Sequence, residues 1–374
     1  MERLWPFGRP PAEEPLRLPP DPADWSLGDE AQREQVLPLL LQELDSPFAS
    51  RRERAVDLLA EAGAEEAGPA LLALLRREKH LMVRWKALCA LQRLTGAPAE
   101  GLEGPPPEEV EAWREEAVAE LRRRLRSDRA GSRWEAAEAL GRLGDPRVVP
   151  DLVQALRDPH AFVRWAAAQT LGQIGGETAV PLLLPMLEDP DRLVRRSAVD
   201  ALGYLDTPAV RQALRRALHD SDATVRRNAI EAVARLGDAG AVDALSPALD
   251  ARNDLWVRYS AAEALGVVGD HRAVAPLIES LQDHHVLIRR AAARSLGLLR
   301  DSRAIYPLIQ ALQDPDPEVR LHAADGLGRL GHEGVLPQLK AHVHDPGSVF
   351  GRQVGAAVRQ AIEAIQGRVG SSAR

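Results

Sequence analysis

Cysteine is nearly absent from this 374-residue chain. The lone Cys89 excludes a disulfide framework within one chain and a cysteine-based zinc site. Lysine is scarce as well: Lys79, Lys86 and Lys340 are the only ones, and every other basic residue is arginine. Planar guanidinium groups favour forked ion pairs, although genome composition can produce the same bias. Aromatic residues make up only 4%, so the 45% apolar content is mostly Ala, Leu and Val, a mixture that suits close helix–helix packing better than a β-sandwich. A basic surplus is missing too. With 48 basic and 55 acidic residues the net charge is -7, which argues against a dedicated nucleic-acid binder. No apolar run reaches transmembrane length, and Met1 to Phe7 lacks the apolar stretch of a secretory signal. A cytoplasmic protein without a membrane contact is the expectation. No P-loop, dinucleotide-binding glycine pattern, HExxH or nucleophile elbow is present, so neither a catalytic residue nor a cofactor is expected.

What the chain has is repetition. Arg133, Arg164, Arg195, Arg226, Arg258, Arg289 and Arg320 recur every 31 residues, with a single step of 32. A second column holds Asp158, Asp189, Asp220, Asp283, Asp314 and Asp345. A third holds Leu140, Leu171, Leu202, Leu265, Leu296 and Leu327, with Val233 in the matching place. Each unit reads as two helices. Helix A runs like Arg147 to Leu156, with Asp145 as N-cap and Pro146 at the first helical position. Helix B runs like Ala161 to Ile174. Asp191, Asp222 and Asp316 stand where its N-cap belongs, and Gly144, Gly175, Gly237, Gly269 and Gly331 stand where a left-handed residue closes it. Val163, Ala167, Ala168, Leu171 and Ile174 form one apolar stripe at spacings of 3 and 4. One such pair cannot bury its own stripe, but stacked pairs can.

The core Val-Arg-x-x-Ala-Ala-x-x-Leu-Gly-x-x-Gly, as in Val163 to Gly175, and the stretch Ala273 to Leu277 resemble the short HEAT-like repeats named for phycobilisome lyases. The resemblance covers roughly residues 33 to 367 and implies an all-α fold, an α-solenoid superhelix of about ten helix–turn–helix repeats. The expected organisation is a Pro-rich, flexible tail over 1–31, two divergent repeats over 32–96 and a Gly/Pro-rich loop or hinge over 97–108. Eight repeats ending in a divergent cap follow over 109–367, with a flexible end over 368–374.

Two sets of residues are candidates for function. The Arg column, in the first turn of helix B, lies near the Asp column of the inter-helix turns. It reads as a structural ladder of Arg133, Arg164, Arg195, Arg226, Arg258, Arg289 and Arg320 with Asp158, Asp189, Asp220, Asp283 and Asp314, rather than as an anion groove. Counting from each Arg, positions −1, +3, +4 and +7 are buried, which turns +1, +2, +5 and +9 outward. The resemblance implies that helix B lines a concave surface. Trp85, Trp134, Trp165, Arg196, Arg227, Tyr259 and Arg290 occupy +1, with Glu138 and Gln169 among those at +5. Three of the chain's seven tryptophans in one outward column point to partner contact, since exposed Trp is enriched at binding hot spots. Metal binding is not expected. The resemblance extends to deoxyhypusine hydroxylase, whose iron is held by several His-Glu pairs, but here only His332-Glu333 matches, and His284-His285 reads as a solvated turn.

The reading is therefore a non-catalytic scaffold that grips a protein or peptide. Two alternatives follow from the resemblance. One is a lyase-like subunit or chaperone handling a bilin and its acceptor, with Trp and Arg holding the tetrapyrrole. The other, ranked lower because of the acidic balance, is a DNA-binding or DNA-repair protein, with Trp134 and Glu138 one helical turn apart.

Overall fold

The computed structural model describes residues 30–95, 107–238 and 240–372. The Pro-rich stretch up to residue 29, residues 97–106 of the expected loop and the last two residues lie outside them. The chain forms two compact units, Met1–Arg126 and Ser127–Arg374.

The first unit holds α1 (Glu30–Glu43), α2 (Ala49–Glu61), α3 (Gly68–Arg77), α4 (Leu81–Thr95) and α5 (Pro107–Arg124). The second opens with α6 (Ala130–Leu143) and continues as seven pairs of a short A helix and a longer B helix. These are α7 (Val149–Ala155) with α8 (Ala161–Ile174), α9 (Val180–Leu183) with α10 (Arg192–Leu202), and α11 (Pro208–Ala217) with α12 (Ala223–Leu236). Next come α13 (Ala241–Leu245) with α14 (Leu255–Val268), α15 (Val274–Ser280) with α16 (Val286–Leu299), and α17 (Ile305–Ala311) with α18 (Pro317–Leu330). The last pair is α19 (Leu336–Ala341) with α20 (Val354–Ser372). A two-stranded hairpin, Ser348–Val349 against Arg352–Gln353, joins that pair and is the one departure from all-α structure among the described residues.

Most A helices of the second unit are shorter than their sequences suggested, though α11 is not. Before α7 the chain runs as a 3-10 turn over Pro146–Val148, so the expected helix becomes α only at Val149. Beyond α9 and α13 it tightens again to 3-10 over Leu184–Glu188 and Ser246–Leu249. Pro185 and Pro247, early in those stretches, have no N–H to donate and cannot extend the α ladder. The B helices start as expected. Asp191, Asp222 and Asp316 accept backbone N–H groups of their first turns at 2.8–3.2 Å. Their ends vary more. Gly144, Gly237 and Gly269 take left-handed conformations, whereas Gly175 and Gly331 do not. Gly176 turns left-handed after Gly175, and Arg300 does so in a repeat that lacks the glycine.

Each B helix packs against its own A helix and, within its unit, against the B helices on either side. Val163, Ala167, Ala168 and Leu171 of α8 are at most 1% exposed, and Ile174 is half-buried. Ala166, expected to face outward at +2, is buried as well, because α6 and α10 cover the flanks of α8. The seam explains the Leu-Gly of the repeat core. A Cβ on Gly172 would lie 2.4 Å from the Cβ of Ala201, so only glycine permits this approach of α8 and α10. Small hydroxyls reach across the same seam. Thr170, Ser197 and Ser295 donate to the carbonyls of Ala137, Trp165 and Ala262 in the preceding B helix.

The Arg and Asp columns meet as a ladder. Arg164 donates from Nε and Nη2 to both carboxylate oxygens of Asp189, at 2.8 Å each, and from Nη1 to the carbonyl of Asp158, also at 2.8 Å. Arg133–Asp158, Arg195–Asp220, Arg289–Asp314 and Arg320–Asp345 repeat that forked pair. Arg52–Glu78 makes the equivalent in the first unit. Each guanidinium thus holds the carboxylate of the next turn and a carbonyl of the turn before its own helix. Arg258 reaches Asp283 with Nη1 alone. Arg226 has no carboxylate, because residue 251, in the matching place, is Ala. Burial is the largest influence on the Asp158, Asp189 and Asp220 carboxyls and works to raise them, but the hydrogen bonds from Arg133, Arg164 and Arg195, those from the backbone N–H groups of His160, Asp191 and Asp222, and the arginine charges together hold all three below the ordinary value.

Two measurements test this account. Leu171→Ala should cost about 2–5 kcal/mol in denaturant unfolding, with Gln169→Ala within about 0.5 kcal/mol of wild type. Equal losses would mean that the wrong helix face is buried. The depressed carboxyls stabilise the fold fully above the unfolded Asp value of about 3.9, and that stability fades as pH falls from there toward the folded-state values. Asp189→Asn should therefore destabilise at pH 7 and shrink the gap to wild type in acid. A gap of constant size at low pH would remove the ladder from the explanation.

Candidate partner-binding face

The surface left by this packing is a strip along each B helix. Position +5 lies on it in Gln169, Asp200, Glu231 and Arg294, and +9 lies on it in Gln173, Tyr204, Arg235, Val267 and Leu298, all exposed. Position +1 does not stand clear of the seam. Trp85 is only 4% exposed, with the Arg114 guanidinium over its ring, so the expected outward column fails there. Trp134, Trp165, Arg227, Tyr259 and Arg290 are half-buried, and Arg196 is exposed. The indole N–H of Trp134 is shut off from solvent without an acceptor. The physical reason is lateral packing: a side chain one residue past the Arg lies along the flank that the neighbouring B helix covers.

The aromatic surface falls elsewhere. Phe162 and Trp256, two residues before their arginines, are 64% and 52% exposed, and Tyr204 is 73% exposed. Tyr204 stood in an outward position of the sequence pattern; a survey confined to +1 and +5 passes over it. Phe162 and Trp256 carry no repeat-wide signal, because the same place holds Leu193, Thr224 and Glu318 in other units. Phe350, fully exposed at the hairpin tip, and Tyr306 on α17 are likewise outside the periodic columns.

Trp165, Gln169 and Arg196 do come together. With Phe162, Gln173, Leu193 and Tyr204 they line a groove of about 530 Å³ between α8 and α10, and its other lining residues include the small Gly172, Ser197 and Ala201. Arg196 faces Asp200 at 3.7 Å across one helical turn, so the groove carries little net charge. Arg235 stacks on the Tyr204 ring at 4.3 Å and braces it from α12. A second hollow of about 470 Å³, near α11, is lined by Arg195, Asp189 and Asp220, groups the ladder already uses.

The other predicted residues belong to different surroundings. Glu138 and Trp134 sit on α6 and do not line the groove. Tyr259 meets Trp256 edge-on at 6.0 Å, and burial together with Glu263 pushes its hydroxyl pKa up. Arg290 is held by Asp316 and Glu318, and Arg294 by Glu263. The strip on α14, α16 and α18 thus carries acid–base pairs beside the exposed Trp256, Val267 and Leu298, whereas the strip on α8 and α10 gathers rings and uncharged amides around the single pair Arg196–Asp200. His332 caps the backbone N–H of Gly334, and His284 lies beside Asp283. No described helix is long and apolar enough to cross a membrane.

Short antiparallel helices stacked side by side at a fixed pitch define an α-solenoid. The model of HEAT repeats matches residues 118–198, 180–266, 219–290 and 274–363, and the chain belongs to that family. Among solved structures, importin beta aligns with a TM-score of 0.56 and 16% identity, over 88% of this chain and 55% of its own length. YibA of E. coli aligns with a TM-score of 0.50 and 20% identity, over 71% of this chain and 99% of its own. The CpcE–CpcF complex of phycocyanin lyase from Nostoc aligns with a TM-score of 0.37 and 22% identity, over 71% and 97%. At these identities the likeness to importin beta and YibA is one of fold. A comparison with curated proteins gives no match.

The burial of the rings yields a direct prediction. Trp85→Ala should cost about 3–5 kcal/mol, as a core truncation does. Phe162→Ala should leave the melting temperature nearly unchanged. If the two variants melt alike, the division between buried and presented aromatics is wrong.

Proposed function

We propose that this protein is a non-catalytic scaffold whose B-helix face binds a protein or peptide partner, with the groove between α8 and α10 as the main contact. One observation carries the reading: Phe162, Trp165, Leu193 and Tyr204 surround a hollow that holds the uncharged donors Gln169 and Gln173. Rigid rings supply contact area at low entropic cost, and amides bond to either group of a partner backbone. Exposed rings gathered in one place, rather than scattered singly, are the usual mark of an interaction surface. The family supports the reading in general terms, because stacked repeats offer long surfaces for partners. The partner contact assigned to Trp165, Gln169 and Arg196 belongs to this proposal, while Trp85 acts in packing. The bilin alternative calls for cations to hold propionates, and the one arginine lining the groove already faces Asp200. DNA binding calls for a basic surface, and acids pair with Arg196, Arg290 and Arg294 of this face, at Asp200, Asp316, Glu318 and Glu263.

The test uses a photo-reactive residue in place of Gln169 to cross-link the partner in its native extract, followed by binding measurements on the purified pair. Tyr204→Ala and Trp165→Ala should each weaken binding about tenfold or more, the loss of roughly 1.4 kcal/mol or more expected of a hot spot, with little change in melting temperature for exposed Tyr204 and a modest drop for half-buried Trp165. Undiminished binding by the double variant would refute the assignment of the groove.

A further inference from the structure

Among the described rungs of the second unit, the one at Arg226 has the fork built and the carboxylate missing. In five other rungs of the second unit, Nε and Nη2 of the arginine grip the aspartate 25 residues ahead, and Nη1 rests on a carbonyl six residues behind. Arg226 keeps the second half of that arrangement. Its Nη1 donates to the carbonyls of Asp220 at 2.7 Å and Ser221 at 3.0 Å, so its guanidinium is anchored as in the other rungs. The first half is absent. Ala251 stands in the aspartate's place and is exposed. The neighbouring Asp250 is spent on Arg252, whose Nε and Nη2 hold it at 2.8 and 2.9 Å. The Nε of Arg226 is shut off from solvent and meets no acceptor, while Nη2 has no bond either and is not among the buried orphans. A buried donor without a partner is a standing cost to the fold, and an anion that supplies the acceptor relieves it.

We propose that Arg226 is an open rung that binds a carboxylate from outside the chain, which enters over Ala251 and meets Nη2 first, Nε being reached only as the ligand seats. The ligand class comes from the molecule itself, because the sister rungs show what this fork takes. A planar carboxylate matches the two N–H groups, which is the geometry that distinguishes arginine from lysine. A dianionic phosphate suits the place less well. Asp220 and Asp222 both lie at the entrance of α12, Asp222 as its N-cap, and a second negative charge there meets repulsion. The site is separate from the aromatic groove, which Arg226 does not line, and it stands or falls independently of the proposed partner. The carboxylate has two sources, a free small acid or an acidic side chain of a docked protein, and both present the same group.

The experiment compares wild type, Arg226→Gln and Ala251→Asp. Sodium acetate replaces sodium chloride at constant ionic strength, and the melting temperature is read with the Arg226 Nε–H resonance, assigned by its loss in Arg226→Gln. Wild type should gain melting temperature in acetate over both variants, and its Nε–H signal should shift and saturate. Sodium phosphate at matched ionic strength should not reproduce the shift. Ala251→Asp supplies the carboxylate internally, so it should melt higher than wild type in chloride and lose the acetate response. A capped peptide with one Asp, set against its Asn counterpart, separates the sources: a shift from the Asp peptide at lower concentration than acetate assigns the site to a protein side chain, and parity with acetate assigns it to free acids. The proposal is overturned if acetate stabilises all three proteins equally, or if the Nε–H resonance of wild type does not move.

Discussion

A guanidinium that holds the carboxylate of the next turn and a carbonyl of its own links two consecutive repeats through a single side chain. Arg164 joins Asp158 behind it to Asp189 ahead, and Arg195 joins Asp189 to Asp220 in the same way. Apolar burial supplies most of the stability of such an array, but it is non-directional. Nothing in the contact of Leu171 with its surroundings dictates how far one pair is rotated on the next. Two parallel N–H···O bonds with a third at an angle do dictate it, and the turn aspartate fixes its own backbone by accepting the N–H two residues on, as Asp189 does from Asp191. Orientation comes from the turns, and adhesion comes from the helices.

That division shapes the surface available for binding. The B helices lie close enough to exclude a methyl group at Gly172, and small hydroxyls bridge them. Lateral contact of this kind narrows the outward strip of each helix to a few positions. A large side chain survives on it only where it rises over the seam, as Tyr204 does beneath Arg235, or where it sits at the first turn, as Phe162 does. The groove between α8 and α10 therefore owes its floor to glycine, serine and alanine and its walls to residues at the two ends of the strip.

The repeat, the helix pairs, the N-caps and the ladder were legible in the sequence because each depends on a fixed interval, and an interval is visible in one chain. Asp191, Asp222 and Asp316 cap as their positions imply, and Arg164 pairs with Asp189. The buried stripe was legible for the same reason. The flank was not. Periodicity in one helix reports the face turned to its own A helix, while Ala166, Trp85 and Leu321 are covered by a neighbour. Of the candidate surface, Trp165, Gln169 and Arg196 lie on the groove, while Trp85 is core and Arg290 is engaged by Asp316 and Glu318. Phe162 was out of reach, since a residue that occurs once in a column cannot be told from noise. The 3-10 stretches were legible in part, because Pro185 and Pro247 forbid α continuation, although they do not say what replaces it.

The offsets of the ladder have a consequence for how such a chain can change length over generations. The five complete rungs of the second unit are defined by counting, 25 residues forward and six back. Duplication or loss of one entire pair brings an arginine and an aspartate of the same offsets together again, so copy number can drift without a repair elsewhere. A single codon added inside a turn has no such neutrality. The 32-residue step between Arg226 and Arg258 is an instance: the carboxylate is gone from position 251, and the arginines on either side each keep an Nε without an acceptor. The gene is thus free to grow in whole modules and held to account for every shorter insertion.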